Sequence, residues 1–301
     1  MEQTVVDIND LSRSFGNKVA LEDVSFHAAV GQVHGLVGAN GAGKTTLLKH
    51  LLGLLRANTG SVRVFGLDPV RDPVGVLNRV GYLSEERELP EWMSVDELMR
   101  YTQAFHPSWD ASYARELLET FRLDPSKKVK ELSKGMRAQA GLVAAVAHRP
   151  ELLILDEPSS GLDAVVRRDI LDAIVRAVAD DGRTVIFSSH LLDEVERMSD
   201  HVTMIHGGRV TLSGALDEVR RGYQRSRVRV AEHFEHPPML DAALSMEGGG
   251  RIWGVVHSGS LEQFHHSVLA LGGEVVESRD ATLEEIFLAR AGRDRQTVET
   301  P

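Results

Sequence analysis

The sequence predicts an α/β nucleotide-binding fold with a small α+β unit at its C-terminal end. Three observations carry this reading. A glycine-rich phosphate-loop pattern, G-x-x-x-x-G-K-[ST], runs from Gly38 to Thr45 between an apolar stretch and a helical one. An apolar run of strand length, Leu152–Leu155, ends in the acid pair Asp156 and Glu157. After about residue 225 a second set of strand-like and helix-like stretches begins.

Residues 1–37 read as strands and turns with alternating apolar positions, as in Val24 to Val30. Val33–Val37 reads as a short buried strand, and Thr45–Leu52 as the helix that follows the loop. Strand, loop and helix N-terminus make an anion site. Glycines let consecutive N–H groups converge on phosphate oxygens, and the helix dipole adds positive charge there. Gly38, Asn40, Gly41, Ala42, Gly43, Lys44, Thr45 and Thr46 are the nucleotide-binding candidates of this segment. Lys44 is placed to reach the β- and γ-phosphates, and the Thr45 hydroxyl to ligate Mg²⁺. Kinases, GTPases and ATPases share such a loop, so the second acidic site narrows the choice. A run such as Leu152–Leu155 suits a central parallel strand, whose C-terminal end is where open α/β sheets bind ligands. Asp156 there can hold Mg²⁺, directly or through water, and Glu157 can polarise an attacking water as general base.

Between these sites the spacing turns helical. Leu98, Tyr101 and Phe105, then Leu117, Leu118 and Phe121, mark two helices over 94–121 with Pro107 between them. Residues 133–148 form a helix rich in Ala, Leu and Val, ended by Arg149 and Pro150. Residues 163–180 form another. Thr184–Phe187 is a further apolar strand, closed by Ser188, Ser189 and His190.

The order of these motifs resembles the nucleotide-binding subunit of ABC transporters over residues 1 to about 220. The carrying residues are Gly38 to Thr45, Leu132 to Met136, Leu152 to Glu157, Ser160 to Asp163 and Ser188 to His190. The resemblance implies a P-loop NTPase core of ABC type over 1–222. That core would have an N-terminal antiparallel β subdomain and a helical arm at about 86–132. It also implies that Ser133 and the Gly135 N–H bind the γ-phosphate of ATP held by an opposite subunit. Asp163 would belong to the loop that communicates across the dimer. His190 would contact the γ-phosphate and orient Glu157, the two forming the catalytic pair. Three positions depart from the common pattern. Lys134 and Met136 stand where Gly and Gln are usual, while Ser133 and Gly135 are retained. Glu85 stands where a glutamine is usual; it can still face Mg²⁺ or water but cannot donate an N–H. Phe15 stands where an aromatic stacks on adenine, keeping the π-face and losing a hydroxyl.

Composition agrees with an enzyme of this kind. The chain has 301 residues, 42% hydrophobic and 26% charged, enough for a sizeable core and a second small unit. It contains no cysteine, so disulfides and thiolate metal sites are excluded. The formal net charge of −10 argues against a general nucleic-acid surface. No apolar run approaches the ~18 residues needed to span a bilayer, and the N-terminus has no signal-peptide pattern. The channel of a transporter must then be another polypeptide. The resemblance implies a membrane permease as partner and a second copy or a homologous ATPase subunit in a head-to-tail dimer. It also implies a cytoplasmic location, peripheral on the inner face of the membrane. Trp92 and Met93 lie where the family docks its permease; the equal alternative for each residue is a core anchor of the helical arm. Non-transport ABC ATPases in DNA repair, chromosome organisation or translation, and a regulatory ATP-binding module, are the alternative classes. The former usually carry coiled-coil insertions, zinc cysteines or tandem cassettes, which this chain lacks. In the family this sequence resembles, cargo contacts belong to the permease.

The region 225–292 reads as a small α+β domain of two βαβ-like pieces. Arg227–Val230, Arg251–Val256 and Glu274–Glu277 are its strands. Ser260 with Gln263, and Thr282 with Glu285, fit the capping box that opens helices Leu261–Leu271 and Leu283–Ala291. Thr282–Leu288 resembles the C-terminal extension of ABC-2 type exporters of drugs, lipids and polysaccharides. Residues 293–301 read as a frayed polar tail. Of the 13 histidines, His233 with His236 and His265 with His266 invite a metal reading, but no Cys or acid cluster completes a site and solvated surface histidine is the default.

Overall fold

Alternating strands pair first along the chain, and parallel strands separated by helices follow. The structure, a computed structural model, describes residues 3–86, 88–234 and 236–298, without the side chains of 177–181, 232–233 and 291–298. The chain divides into two compact units, residues 1–212 and 213–301.

In the first unit, β1 (Thr4–Phe15) and β2 (Lys18–Ala29) form an antiparallel hairpin. β3 (Val33–Val37), wholly buried, leads into the glycine loop and α1 (Lys44–Leu51). β4 (Thr59–Val64) returns to pair with β1, giving an antiparallel sheet of order β2-β1-β4. α2 (Pro73–Leu77) is capped by Asp72, whose Oδ1 accepts the Gly75 N–H at 2.9 Å, and β5 (Val80–Leu83) follows. The helical arm is α3 (Val95–Gln103) and α4 (Ala111–Thr120). Ser94 and Glu97 close a capping box on α3, and Asp110 caps α4. A 3₁₀ turn at Val129–Glu131 then brings the chain to α5 (Lys134–Val146).

β6 (Leu152–Asp156), α6 (Ala164–Asp181), β7 (Thr184–Ser189) and α7 (Leu192–Met198) complete the parallel layer. β8 (His201–His206) and β9 (Arg209–Ala215) extend it, in the order β5-β6-β7-β3-β8-β9. Pairs β5–β6, β6–β7, β7–β3 and β3–β8 are parallel. One core joins the layers. Ile8, Leu11, Leu21 and Phe26 of the antiparallel sheet pack with Leu47, Leu48 and Leu51 of α1 and with Ile154 and Ile186 of the parallel sheet. Each such side chain contributes about 1.5–3 kcal/mol by leaving water. The phosphate-loop helix is thereby fixed between two sheets.

The second unit contains α8 (Leu216–Arg221), β10 (Tyr223–Phe234), β11 (Ala243–Ser258), α9 (Leu261–Ala270), β12 (Glu274–Asp280) and α10 (Leu283–Val298). Its sheet has the order β11-β10-β12 with both pairings antiparallel. The unit is therefore a hairpin followed by one split β-α-β crossover, not two βαβ pieces. β12 forms an edge, and its residues Glu274, Glu277, Arg279 and Asp280 are exposed. Val228, Val230, Trp253, Val255, Phe264 and Val268 make its core.

Thr282 and Glu285 close the capping box, with Glu285 Oε2 accepting the Thr282 N–H at 2.9 Å and Thr282 Oγ1 accepting the Glu285 N–H at 3.3 Å. Ser260 stands at the N-cap of α9 but makes no side-chain cap bond. α10 continues to Val298, past the expected end at Ala291 and into the expected tail. Residues 299–301 of that tail, and the His233 side chain, lie outside the described residues.

Candidate nucleotide and hydrolysis site

Three neighbouring strands, β6, β7 and β3, end at one edge of the parallel sheet, and their C-terminal residues build the site. Register places Asp156 beside Ser188 and Val37 beside Ser189. Beyond β3 the glycine loop turns back over the sheet. Gly43 takes φ 115°, and a Cβ there would sit 2.7 Å from the Ala20 carbonyl oxygen, so glycine alone fits both the backbone and the space. Gly43 is the N-cap of α1 without a side-chain cap bond, which leaves first-turn N–H groups available to an anion.

Lys44 is 5% exposed and donates to the Gly38 carbonyl at 2.6 Å. Its Nζ also lies 3.0 Å from Glu157 Oε1, a charge contact that lacks hydrogen-bond geometry. Glu157 is 3% exposed, with φ 48°. A left-handed backbone on a non-glycine residue is strained by roughly 1–2 kcal/mol and persists where the surroundings hold it. Here they do. Ser188 Oγ accepts the Glu157 N–H at 2.9 Å and donates to Asp156 Oδ1 at 2.6 Å. His190 Nδ1 lies 2.7 Å from Glu157 Oε2, and its backbone N–H lies 3.4 Å from the same oxygen. Glu157 thus spans Lys44 and His190. Burial first, and then the charges of Asp156 and Glu86, push the hydroxyl of Tyr82 on β5 up to about 12.

The cleft above this edge has a volume of about 430 Å³. Phe15, Lys18, Asn40, Gly41, Gly43, Lys44, Thr45, Thr46, Glu85 and Glu157 line it, with Ala20 and Ala39. Phe15 is 45% exposed, and the Arg13 guanidinium lies over its ring at 4.7 Å. Gly38 and Ala42, predicted to bind nucleotide, are buried loop residues that do not line the cleft. The Ala42 N–H donates to the Ala39 carbonyl at 3.1 Å, and the Ala42 carbonyl accepts the Gly208 N–H at 3.1 Å.

Ser133, Gly135 and Asp163 do not line this cleft. Ser133 caps α5, its Oγ accepting the Met136 N–H at 3.2 Å. Gly135 is buried where a Cβ would meet the Val166 side chain at 3.0 Å, so it lets α5 and α6 approach. Asp163 Oδ1 accepts the N–H groups of Val165 and Val166, both at 3.0 Å, at the start of α6. Trp92 is 69% exposed, whereas Met93 is 5% exposed and its carbonyl accepts the Val129 N–H at 2.9 Å. Met93 is therefore a core residue of the arm, and the docking expectation is corrected for it. Sequence reading gave no role to Lys18, Ser159, Ser188 or Glu194. Ser188 carries a sequence signal, since a hydroxyl at the end of a buried strand beside an acid needs a polar partner.

The donor set suits a hard cation. Thr45 and Glu85 line the cleft, and Asp156 adjoins Glu157. Among the described residues no cluster of three or more His, Cys, Asp or Glu could hold an ion unaided. One hydroxyl and two carboxylates fit Mg²⁺, which keeps waters and shares substrate phosphates.

Comparison with known proteins matches residues 21–160 to the family described as ABC transporter. The ABC transporter ATP-binding protein YtrB of Bacillus subtilis (strain 168) is 30% identical, covering 97% of this chain and 100% of that protein. The daunorubicin resistance ATP-binding protein DrrA3 of Streptomyces coeruleorubidus is 32% identical, covering 99% of both. A solved structure described as an ATP binding subunit of an ABC transporter is 32% identical with TM-score 0.67, covering 72% of this chain and 92% of that one.

Proposed function

This chain belongs to the family of ABC transporter ATP-binding subunits, and we propose that it binds MgATP on the Gly38–Thr45 loop and hydrolyses it with Glu157 as general base. The observation that carries the assignment is Glu157 itself, a buried carboxylate held between Lys44 and His190 at the mouth of the phosphate-loop cleft. Phe15 stacks on the adenine. Lys44 leaves Glu157 for the β- and γ-phosphates, which frees the carboxylate to accept a proton from the attacking water. His190 holds Glu157 Oε2 and meets the γ-phosphate. Thr45, Asp156 and Glu85 would hold Mg²⁺, which would supply neutralisation of charge on the phosphate oxygens.

Ser133 and Gly135 lie away from the cleft of their own chain, which supports their acting on ATP held by a second subunit, with Asp163 at the same junction. Two copies, or one copy and a homologue, then close over two ATPs and drive a separate membrane permease. The near end-to-end match to a daunorubicin resistance protein supports export. No helix among the described residues is long and apolar enough to cross a membrane, in keeping with attachment through the permease. Exposed Trp92 remains the candidate permease contact.

Glu157→Gln tests this reading. It should cut ATP turnover by about 10²-fold or more while leaving MgATP binding intact, as loss of a general base implies. Light scattering with MgATP should then show a dimer, and adding Ser133→Arg should abolish that dimer. Unchanged steady-state hydrolysis by Glu157→Gln would remove Glu157 from the role.

A further inference from the structure

Behind the catalytic pair lies a second buried carboxylate that the hydrolysis chemistry does not use. Glu194, in the first turn of α7, is 3% exposed. Its Oε2 accepts the Ser159 hydroxyl at 2.7 Å and lies 3.3 Å from Ser189 Oγ. Its Oε1 has no hydrogen-bond partner among the described residues. Arg167 Nε of α6 is 3.6 Å away, near enough for attraction and too far for a hydrogen bond. Burial raises the Glu194 carboxyl above the usual range, with the Ser159 bond and the Arg167 charge pulling it back. An ion in such a place is destabilising by itself, and an apolar side chain of similar size would avoid that cost. The carboxylate is explained by what it holds.

It ties together two segments that carry the catalytic pair. Ser159 lies two residues beyond Glu157, in the turn that carries the strained Glu157 backbone. Ser189 immediately precedes His190, and its Oγ also accepts the Leu191 N–H at 3.0 Å, which fixes the course of the chain through His190. Arg167 extends the tie, its Nη2 reaching the Leu162 carbonyl at 3.4 Å, next to Asp163.

We propose that Glu194 is a positioning residue for hydrolysis: it pins the Glu157–Ser159 turn to the Ser189–His190 segment and so sets the contact between His190 and Glu157. This rests on the reading of Glu157 as the base. Glu194 touches no substrate; it acts through the two hydroxyls.

The test is steady-state ATP hydrolysis by the full chain, with nucleotide affinity measured separately. Glu194→Ala should lower kcat about tenfold and change ATP affinity less than about twofold, because it alters the reacting geometry rather than the phosphate cradle. Glu194→Gln should recover most of the rate, since its amide oxygen still accepts the Ser159 hydroxyl. In a His190→Ala background, Glu194→Ala should add less than about a twofold loss, because residues acting as one unit are not additive. A merely structural role would multiply the two losses, and that outcome would overturn the proposal, as would an unchanged kcat in Glu194→Ala. If Glu194→Ala does not fold, Ser159→Ala removes one of the two hydroxyls and takes its place in the same cycle, with the same expected and overturning results. Wild-type turnover by Glu157→Gln would instead sink the base assignment, so the two failures are distinguishable.

Discussion

The two units of this chain both bury neutral polar side chains, but among the described residues only the first adds buried ions to them. The first buries ions: Lys44, Asp156, Glu157 and Glu194, each 5% exposed or less. The second buries Ser226 and His257, in a neutral chain that ends at exposed Ser278. Ser226 Oγ lies 2.9 Å from His257 Nε2 and 2.9 Å from Ser278 Oγ, and the His257 ring stacks on Phe264 at 3.6 Å. Ser226 and Ser278 are register partners of β10 and β12. A neutral network of this sort fixes one strand alignment and loses little on desolvation. Buried ions lose more, so they are retained where a charge acts on a ligand or, as with Glu194, holds the segments that do. The contrast teaches which polar core serves chemistry and which serves folding.

The largest test of the folding half is Phe264→Ala. It should destabilise the second unit by about 3–5 kcal/mol, by cavity formation and loss of the His257 stack. Trp253, buried in the same core, reports this by fluorescence during urea unfolding once Trp92 and Trp109 are changed to Phe. A loss below about 1 kcal/mol would mean that the core collapses around the gap.

Acid gives the next effect. Burial, then the nearby His265, lowers His257 from its ordinary value of 6.5 to about 4. The unfolded chain therefore takes up a proton near pH 6.5 that the folded unit refuses until about pH 4. Stability is full above pH 6.5, falls as pH drops through that window, and loses about 3 kcal/mol by its lower end. His257→Gln should flatten this slope in the Trp253-detected transition. A slope unchanged by the substitution would assign the acid response to other groups.

The smallest effect is at Trp92. Trp92→Ala should change the stability of the isolated chain by less than about 0.5 kcal/mol, as surface changes do, yet weaken co-purification with the permease. A large loss of stability would place Trp92 in the core with its neighbour Met93.

Much of this was legible in the sequence because it rests on local rules. The phosphate loop needs glycines at set positions, a parallel central strand needs an unbroken apolar run, and Thr282 with Glu285 needs only three residues of spacing. What was not legible depends on tertiary surroundings. Trp92 and Met93 are adjacent large residues in a loop, where no periodicity tells inside from outside. Ser260 has the same motif spacing as Thr282 but makes no cap bond. The φ of Glu157 and the two bonds of Ser188 arise only when β6 and β7 lie side by side. Glu194 stands 37 positions from Glu157 in the chain, and no motif joins them.

The charged edge strand β12 has a consequence of another kind. An open three-stranded sheet presents unpaired N–H and C=O groups along its rim, a template on which a neighbouring chain could add a strand. Val275 and Val276 alone would favour that growth, and Val276 is 48% exposed. Glu274, Glu277, Arg279 and Asp280 surround them with charge that a docking strand would have to strip of water. Charges so placed oppose edge-to-edge pairing of this strand with another chain.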